Sequence, residues 1–412
     1  MRKLRYGILV TLAVVVLAGA SCAPAVAPSP TAAPSRPAVT TPQAASPVQT
    51  ATTSAKPTEA PAAKSAPPAS KPAADWKAEW DKTVAEAKKE GKVVVNGPPG
   101  ELYRASALAF EKAFPEIHVD FTGADGPIFA PKILAERDGG QYLWDVYLGG
   151  ATTGLSVLRP RGVLDSLKSV LLLPDVLDNS KWVGGLDNFW MDKEGMYLLG
   201  FEAGLQHSIQ VNRDFVPESE LSSHDQLLDP KWKGKIVSGD LRTAGAQNGS
   251  ASLMLKAKGE DWLRKFYSQD VVIMPDERAN IEALVRGRYP VSVGVKPAAL
   301  QVFRKEKLAD SIKPLAADTE AGAALSTSAS HAALINKAPH PNAAKVFVNW
   351  FLSSEGQKVF VQVTDLISAR ADVEAGDAFF RPKLNVKYFQ LNQESMLPFK
   401  TKAMDIAKET FK

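Results

Sequence analysis

The sequence predicts an α/β protein of two lobes, each built on a doubly wound sheet. Strands and helices alternate along most of the chain, which is typical of sheets covered by helices on both faces. The predicted folded region, residues 76–412, is long enough to form two hydrophobic cores rather than one. Turns of glycine and small residues follow several of the predicted strands. The predicted lobes are residues 76–200 with 320–412, and residues 201–319.

The first half of the folded region contains three successive strand–helix units. Apolar residues at helical spacing in 76–90 are followed by Gly91, and glycine commonly ends a helix. Later elements end in the same way, at Pro115, at Gly123 and at the two glycines 149–150. The predicted elements are helix 76–90, strand 92–97, helix 101–114, strand 117–122, helix 128–137 and strand 144–148.

The second half repeats the alternation, and successive strand–helix units favour parallel pairing. Two segments that join the halves, 198–210 and 312–325, are predicted to be hinge strands. The predicted elements are strand 235–239, helix 250–258, strand 271–274, helix 280–286, strand 290–294, a helix from about Pro297, strand 332–335, and helices 341–351 and 355–363.

The amino terminus predicts export and lipidation. A short basic region is followed by an apolar run at 6–18, which is about as long as a signal-peptide core and short for a membrane span. Small residues precede Cys22, the only cysteine, and the segment resembles a lipobox in which Gly19 replaces the usual leucine. We therefore expect a signal peptide at 1–21 and a lipid on Cys22. An ordinary cleaved signal peptide and an uncleaved anchor are the alternatives.

Residues 22–75 are predicted to be a disordered tether behind the lipidated cysteine. After Cys22 the segment is mostly Ala, Pro, Ser and Thr, and it contains no aromatic residue, Leu, Ile or Gly. Such a composition buries too little apolar surface to offset chain entropy. Frequent proline favours extended stretches, so the tether would reach roughly 150 Å when fully extended.

Charge and hydropathy narrow the classes of partner. The formal net charge of +4 is small and no basic stripe interleaved with aromatic residues is present, which argues against nucleic-acid binding. No long apolar run follows the signal sequence, so the chain is expected to be anchored rather than membrane-spanning. We expect a monomer on the extracytoplasmic side of the membrane, in the periplasm or at the cell surface.

Ligands of open α/β sheets bind at the carboxyl ends of the strands, where loops and helix amino termini meet. Arg242 is a candidate clamp for a carboxylate or phosphate, although an ion pair with Asp240 is equally consistent with its position. Thr152 and Thr153 are candidate hydroxyl donors or, alternatively, helix caps. The candidate ligand-binding residues are Asn96, Gly97, Thr122, Gly123, Gly150, Thr152, Thr153, Asp240, Arg242, Thr243 and Lys296.

Several segments, taken in order, resemble bacterial extracellular solute-binding proteins, the binding subunits of ABC importers. They are WDKTVAEAKKEGKVVV at 80–95, APKILAER at 130–137, WDVY at 144–147, LLDPKWKGKI at 227–236, NKAPHPNAAK at 336–345 and SSEGQ at 353–357. The resemblance covers 76 to about 370. It implies a type II periplasmic-binding-protein fold, capture of a ligand by hinge closure, and delivery to an ABC permease and its ATPase.

The nearest well-known branch of that family binds ferric iron, usually through two adjacent tyrosines, a histidine and a carboxylate. No two tyrosines are adjacent here, the region expected to carry them reads VKPAA at 295–299, and the loop after the first strand reads NGPP at 96–99. The sequence therefore favours a small polar or anionic solute, with ferric iron as the alternative. We expect no bound metal and no cofactor.

The remaining polar residues do not indicate an enzyme. The five histidines lack zinc-site spacing, and His207 either faces the cleft or, more in keeping with its position, forms an interlobe hydrogen bond. No nucleophile elbow, P-loop, dinucleotide fingerprint or zinc-protease motif is present. A lipid-anchored α/β enzyme is the least favoured alternative.

Overall fold

The structure, a computed structural model, describes residues 73–412 except residues 375 and 385. The predicted signal peptide, Cys22 and nearly all of the tether lie outside these residues. The strands are β1 Lys92–Gly97, β2 His118–Gly123, β3 Val146–Gly149, β4 Leu164–Asp165, β5 Leu199–Gly200, β6 Gly204–His207, β7 Ile209–Asn212, β8 Ile236–Ser238, β9 Val272–Ile273, β10 Val291–Val293, β11 Ile312–Pro314, β12 Ala323–Ser326, β13 His331–Ile335 and β14 Phe389–Gln390.

The α-helices alternate with these strands through most of the chain, and short 3-10 turns fill several connections. The helices are α1 Ala73–Glu90, α2 Glu101–Leu108, α3 Phe110–Ala113, α4 Gly126–Asp138, α5 Ala151–Thr153, α6 Pro174–Leu177, α7 Ala246–Lys258, α8 Glu260–Tyr267, α9 Glu277–Val285, α10 Pro297–Lys305, α11 Pro341–Leu352, α12 Ser354–Thr364 and α13 Leu397–Thr410. None of the helices within 73–412 combines the length and apolar character needed to cross a membrane.

The first sheet has the order β2-β1-β3-β13-β4, with β5 also paired to β13. Strand β1 is parallel to β2 and β3, as the strand–helix alternation predicts. Strand β13 returns from far along the chain and is antiparallel to β3, β4 and β5. The three strands of the predicted strand–helix units are parallel as expected, and β13 adds an antiparallel strand because it enters from the opposite end of the sheet.

The second sheet has the order β11-β7-β10-β8-β9. Its centre, β10 against β8, is parallel, and β7 is antiparallel to both β10 and β11. Helices α7, α8 and α9 follow or precede these strands, so this half also carries helices around a central sheet. The alternation predicted for this half is confirmed, and β7 is the strand that runs antiparallel to its neighbours.

A third, small sheet connects the other two. It has the order β14-β12-β6, and β6 and β12 are antiparallel. Strands β5, β6 and β7 follow one another closely but belong to three different sheets, and so do β11, β12 and β13. These two crossings coincide with the segments predicted to be hinge strands. We call β6, β12 and the flanking residues 201–203 and 327–331 the hinge.

Two large cores lie on the two sides of the hinge. The first is rich in stacked aromatic rings, among them Phe110, Phe347 and Phe351. The second surrounds Trp262 and Phe266 and also includes residues of α13. The lobe ranges expected from the sequence, with 320–412 in the first lobe, stay a prediction; the packing of α13 on the second core divides the carboxyl-terminal segment differently.

Candidate functional site: a cleft beside the hinge

A cleft of about 930 Å³ is lined by elements of both cores and by the hinge. Helix α2 and Thr152 contribute from the first side, and the start of α7 together with α10 contributes from the second. The hinge supplies Glu202, Gly204 and Gln206. A cavity of this volume suits a small-molecule ligand, and its position lets a ligand contact both lobes at once.

Glu202 is the most deeply buried ionisable group in the lining, with 5% of the residue exposed. Its carboxylate accepts hydrogen bonds from the Ser328 hydroxyl at 3.0 Å and the Ser330 hydroxyl at 2.7 Å. Burial raises the pKa of Glu202 to about 7, and the two hydroxyl donors only partly oppose this shift. The group therefore changes charge near neutral pH.

The turn that holds Glu202 is tightly built. Ser328 adopts a left-handed backbone conformation with φ of 45°, which is uncommon for a residue other than glycine. The Tyr103 hydroxyl lies 3.2 Å from the Ser330 hydroxyl, and burial raises the pKa of that phenol. A strained turn at a ligand cleft is a feature of preorganised sites.

Lys400, on α13, is the second ionisable group that reaches the cleft from the interior. Burial lowers the pKa of its ammonium to about 8. Its backbone carbonyl accepts a hydrogen bond from the Asn248 side chain at 2.9 Å, which ties α13 to α7. The positive charge of Lys400 adds to burial in lowering the pKa of His331.

Amide side chains fix the wall between the hinge and α7. The Gln206 amide donates to the Ala246 carbonyl at 2.6 Å and to the Ser250 hydroxyl at 3.1 Å. Asn392 accepts from the Thr327 backbone N–H at 3.1 Å. These bonds hold polar groups at the cleft surface in set orientations, as ligand discrimination requires.

Three other charged residues in the lining already have partners. Lys296 lies 3.0 Å from Glu277, and Asp377 lies 2.6 Å from Arg304. Asp365 pairs with Lys305 and accepts from the Gln301 amide at 3.0 Å. These three charges are therefore largely neutralised by partners within the protein.

Of the predicted site residues, Thr152 and Lys296 line the large cleft. A second cavity, of about 190 Å³, is lined by Asp240, Thr243 and again Lys296. It lies at the strand ends of the second sheet, where Gly294 has a φ of 63° and a Cβ would sit 2.4 Å from the Gln247 Cα. Only glycine permits that close approach of the loop to α7.

Arg242 lines neither cavity. Its guanidinium makes two hydrogen bonds to the Asp240 carboxylate, at 2.8 and 3.0 Å, and a third to the Phe411 carbonyl. This hydrogen bonding lowers the pKa of Asp240. The structure thus shows the ion pair that the sequence left as an alternative, and the role of Arg242 as an anion clamp stays a prediction.

The predicted residues of the first lobe lie at the strand ends but mostly contact the protein itself. The Asn96 amide donates to the Ala124 carbonyl at 3.3 Å, while its buried oxygen has no hydrogen-bond partner among the described residues. Thr153 packs against Gly126, where an added Cβ would clash with its hydroxyl oxygen. Four more of the predicted residues lie at the strand ends and line neither cavity: Gly97, Thr122, Gly123 and Gly150.

His207 is buried, and its Nε2 lies 3.1 Å from the Phe379 carbonyl. It does not line the cleft, so the hydrogen-bond interpretation fits this structure. Across the described positions of 73–412, no group of three or more His, Cys, Asp or Glu side chains is arranged to hold a metal ion. Tyr103 is the one tyrosine among the described residues that line the cleft.

Sequence reasoning missed Tyr103, Glu202 and Lys400. None of them belongs to a recognisable motif, and Lys400 lies beyond the part of the chain that the resemblance covers. Glu202 receives its hydrogen bonds from residues 126 and 128 positions away, so no local pattern could reveal its burial.

Comparisons with known proteins agree with this architecture. A family model described as bacterial extracellular solute-binding protein matches residues 105–385. IdiA (FutA) of Trichodesmium, solved with iron and citrate ligands, is 18% identical and superposes with a TM-score of 0.61, covering 78% of this chain and 99% of its own.

Two further solved structures are similar. Ferric iron-binding protein A of Mannheimia haemolytica, in an open conformation, is 14% identical, with a TM-score of 0.60 over 78% of this chain and 98% of its own. AfuA of Actinobacillus pleuropneumoniae, with fructose-6-phosphate bound, is 17% identical, with a TM-score of 0.50 over 77% and 99%. Likeness at these identities confirms the predicted fold and leaves the ligand open.

Proposed function

Because the chain belongs to the bacterial extracellular solute-binding proteins, we propose that it captures one small polar or anionic solute between its lobes and delivers it to an ABC-type permease and its ATPase. The observation that carries this proposal is the cleft of about 930 Å³, whose lining comes from both cores and from the hinge. A solute there contacts both lobes only when they approach each other, so binding shifts the open–closed equilibrium.

The hinge supports that mechanism. Strands β6 and β12 are short and pair with each other between the two larger sheets, so rotation about them changes the width of the cleft without repacking either core. Gln206 lies on β6 and bonds to the start of α7, which couples the hinge to one cleft wall. We propose that a single copy of the chain performs this cycle.

The experiment is a thermal-shift screen of the mature full chain against ferric iron, phosphates, phosphonates, carboxylates and polyamines, followed by calorimetric titration of each stabilising solute. A receptor binds one class with 1:1 stoichiometry, raises its melting temperature, and releases the solute chemically unchanged. Recovery of an altered solute would instead support the enzyme alternative, and no stabilisation by any member would count against the receptor.

Ferric iron is the second candidate, because iron-binding proteins are among the similar structures. Tyr103 and Glu202 also place oxygen atoms in the cleft, and ferric iron prefers such ligands. Tyrosinate–iron complexes are coloured, so a visible absorption band on adding ferric iron, lost in Tyr103→Phe, would select this candidate. An uncoloured chain that binds an organic solute would reject it.

We also propose that a lipid on Cys22 and the tether at 22–75 hold the receptor at the extracytoplasmic face of the membrane. A tethered receptor stays within reach of a permease in the same membrane, which raises its effective concentration there. Cys22→Ser should move the protein from the membrane fraction to the soluble fraction. Retention of the variant in membranes would assign the anchor elsewhere.

A further inference from the structure

The charged residues that line the cleft divide into two groups. Lys296, Asp365 and Asp377 each pair with a neighbouring side chain of opposite charge. Glu101 is exposed at the first residue of α2, where water solvates it. The other two form no ion pair with any described residue: Glu202, which is buried, and Lys400, which is half-buried.

Glu202 is equipped to receive a cation. Each of its two carboxylate oxygens accepts one hydrogen bond from a serine hydroxyl, at 3.0 and 2.7 Å. A carboxylate offers about four acceptor sites, so about two remain free for a ligand. Hydroxyl donors orient the carboxylate without neutralising its charge.

Lys400 is equipped to receive an anion. Its ammonium has three N–H donors, and no side-chain hydrogen bond from it is present among the described residues. Glu202 and Lys400 line the same cleft. One cavity therefore presents an anionic and a cationic group to a solute.

The rest of the lining suits a short carbon chain. Leu102 on α2 is 54% exposed and Val302 on α10 is 50% exposed, and both face this cleft from opposite walls. Leu366 and Leu391 add apolar surface. A solute with charged ends and a methylene body matches this combination, because apolar burial and two charge-assisted contacts occur together.

We propose that the solute is zwitterionic, with its ammonium against Glu202 and its carboxylate, phosphonate or sulfonate against Lys400. This inference rests on the proposed receptor function and narrows it. An unpaired buried charge is costly, and a ligand that supplies both opposite charges removes two such costs in one binding event. A solute with one charge leaves the other protein group unpaired.

The first test is calorimetric titration of the mature full chain with 4-aminobutanoate, 3-aminopropylphosphonate and 3-aminopropanesulfonate, against butanoate and butylamine. At least one zwitterion should bind about tenfold or more tighter than both singly charged compounds, the scale of one charge-assisted contact. The three anionic ends distinguish a carboxylate, a phosphonate and a sulfonate ligand. Equal affinities for zwitterions and singly charged compounds overturn the proposal.

The second test uses Glu202→Gln and Lys400→Gln, with melting temperatures to confirm folding. Each should weaken zwitterion binding about tenfold or more, whereas Glu202→Gln should leave butanoate binding unchanged and Lys400→Gln should leave butylamine binding unchanged. The controls are Glu306→Gln, an exposed carboxylate outside the cleft lining, and Lys402→Gln, which lies on the same helix as Lys400 and pairs with Glu260. Variants that behave like their controls overturn the assignment.

The proposal and the receptor function can fail separately. If fructose-6-phosphate or ferric iron binds and no zwitterion does, the zwitterionic assignment is wrong and the receptor function stands. If neither these two probes, nor any zwitterion, nor any other member of the thermal-shift screen binds, both are wrong.

Discussion

The strand-end loops and the hinge place their charged residues in opposite ways. In the loops, Asp240 pairs with Arg242 and Lys296 pairs with Glu277, so each charge is neutralised by a neighbour in the same lobe. In the hinge, Glu202 and His331 are buried and bonded only to neutral groups. The charges of the loops are therefore neutralised without a ligand. The protonation of the hinge residues, in contrast, depends on pH and on the charge of a ligand.

The largest expected effect concerns the hinge histidines. Burial lowers the pKa values of His207 and His331 to about 4, so each stays neutral in the folded protein while the unfolded chain takes up protons below about pH 6.5. The unfolded state then binds more protons, and stability falls as pH falls from about 6.5 toward 4. By pH 5 each histidine costs about 2 kcal/mol of unfolding free energy.

Urea unfolding of the wild type, His207→Asn and His331→Asn at pH 7, 6 and 5 measures this slope. Each variant should lose about half of the hinge contribution to the acid destabilisation, whatever its stability at pH 7. His118→Asn changes an exposed histidine outside the hinge and should keep the wild-type slope. Identical slopes for all four proteins would show that the hinge does not titrate as described.

An effect of opposite sign, smaller than that of the two histidines together, is expected for Glu202. Its folded pKa of about 7 lies above the ordinary glutamate value of 4.5, so between these values the folded state holds a proton that the unfolded chain has lost. Its contribution to stability is therefore present at low pH and is lost as pH rises through about 7. Between pH 5 and pH 8 this loss is about 2.5 kcal/mol.

Glu202→Gln removes that titration, so the variant should gain stability relative to the wild type on going from pH 5 to pH 8. Chemical unfolding at the two pH values, without ligand, gives the difference directly, and Glu101→Gln provides the exposed control. A difference that is the same at both pH values would place Glu202 in a more hydrated site.

The same contrast explains what the sequence could predict. Local period and punctuation were enough for β1, α4 and β10, because each is short in sequence and bounded by glycine or proline. Glycine-rich turns also pointed to the strand ends and so to Thr152 and Lys296, which do line the cleft. The rim of the site is therefore largely readable from local patterns.

The hinge is not readable in this way, because distant segments build it. The antiparallel entry of β13 and the packing of α13 on the second core depend on contacts across more than one hundred residues. Glu202 stands in the unremarkable run FEAG at 201–204 and becomes a buried acid only when Ser328 and Ser330 fold over it. Burial of a single carboxylate leaves no period or motif in the sequence.

The smallest expected effect is that of replacing Arg242, and it tests whether the strand-end loops bind the ligand as the hinge does. If Arg242 clamps the ligand, Arg242→Ala should weaken solute binding about tenfold or more, as a charge-assisted contact would. Its observed bonds to Asp240 and the Phe411 carbonyl instead predict a change of less than about threefold, the scale of an exposed ion pair. The melting temperature should be nearly unchanged in either case, so calorimetric titration decides between the two outcomes.

Asp240→Asn is the matched control, because it frees the guanidinium without removing it. Tighter solute binding in Asp240→Asn together with weaker binding in Arg242→Ala would mean that Arg242 leaves Asp240 to bind the ligand. The strand-end loops would then contribute to ligand binding as the hinge does.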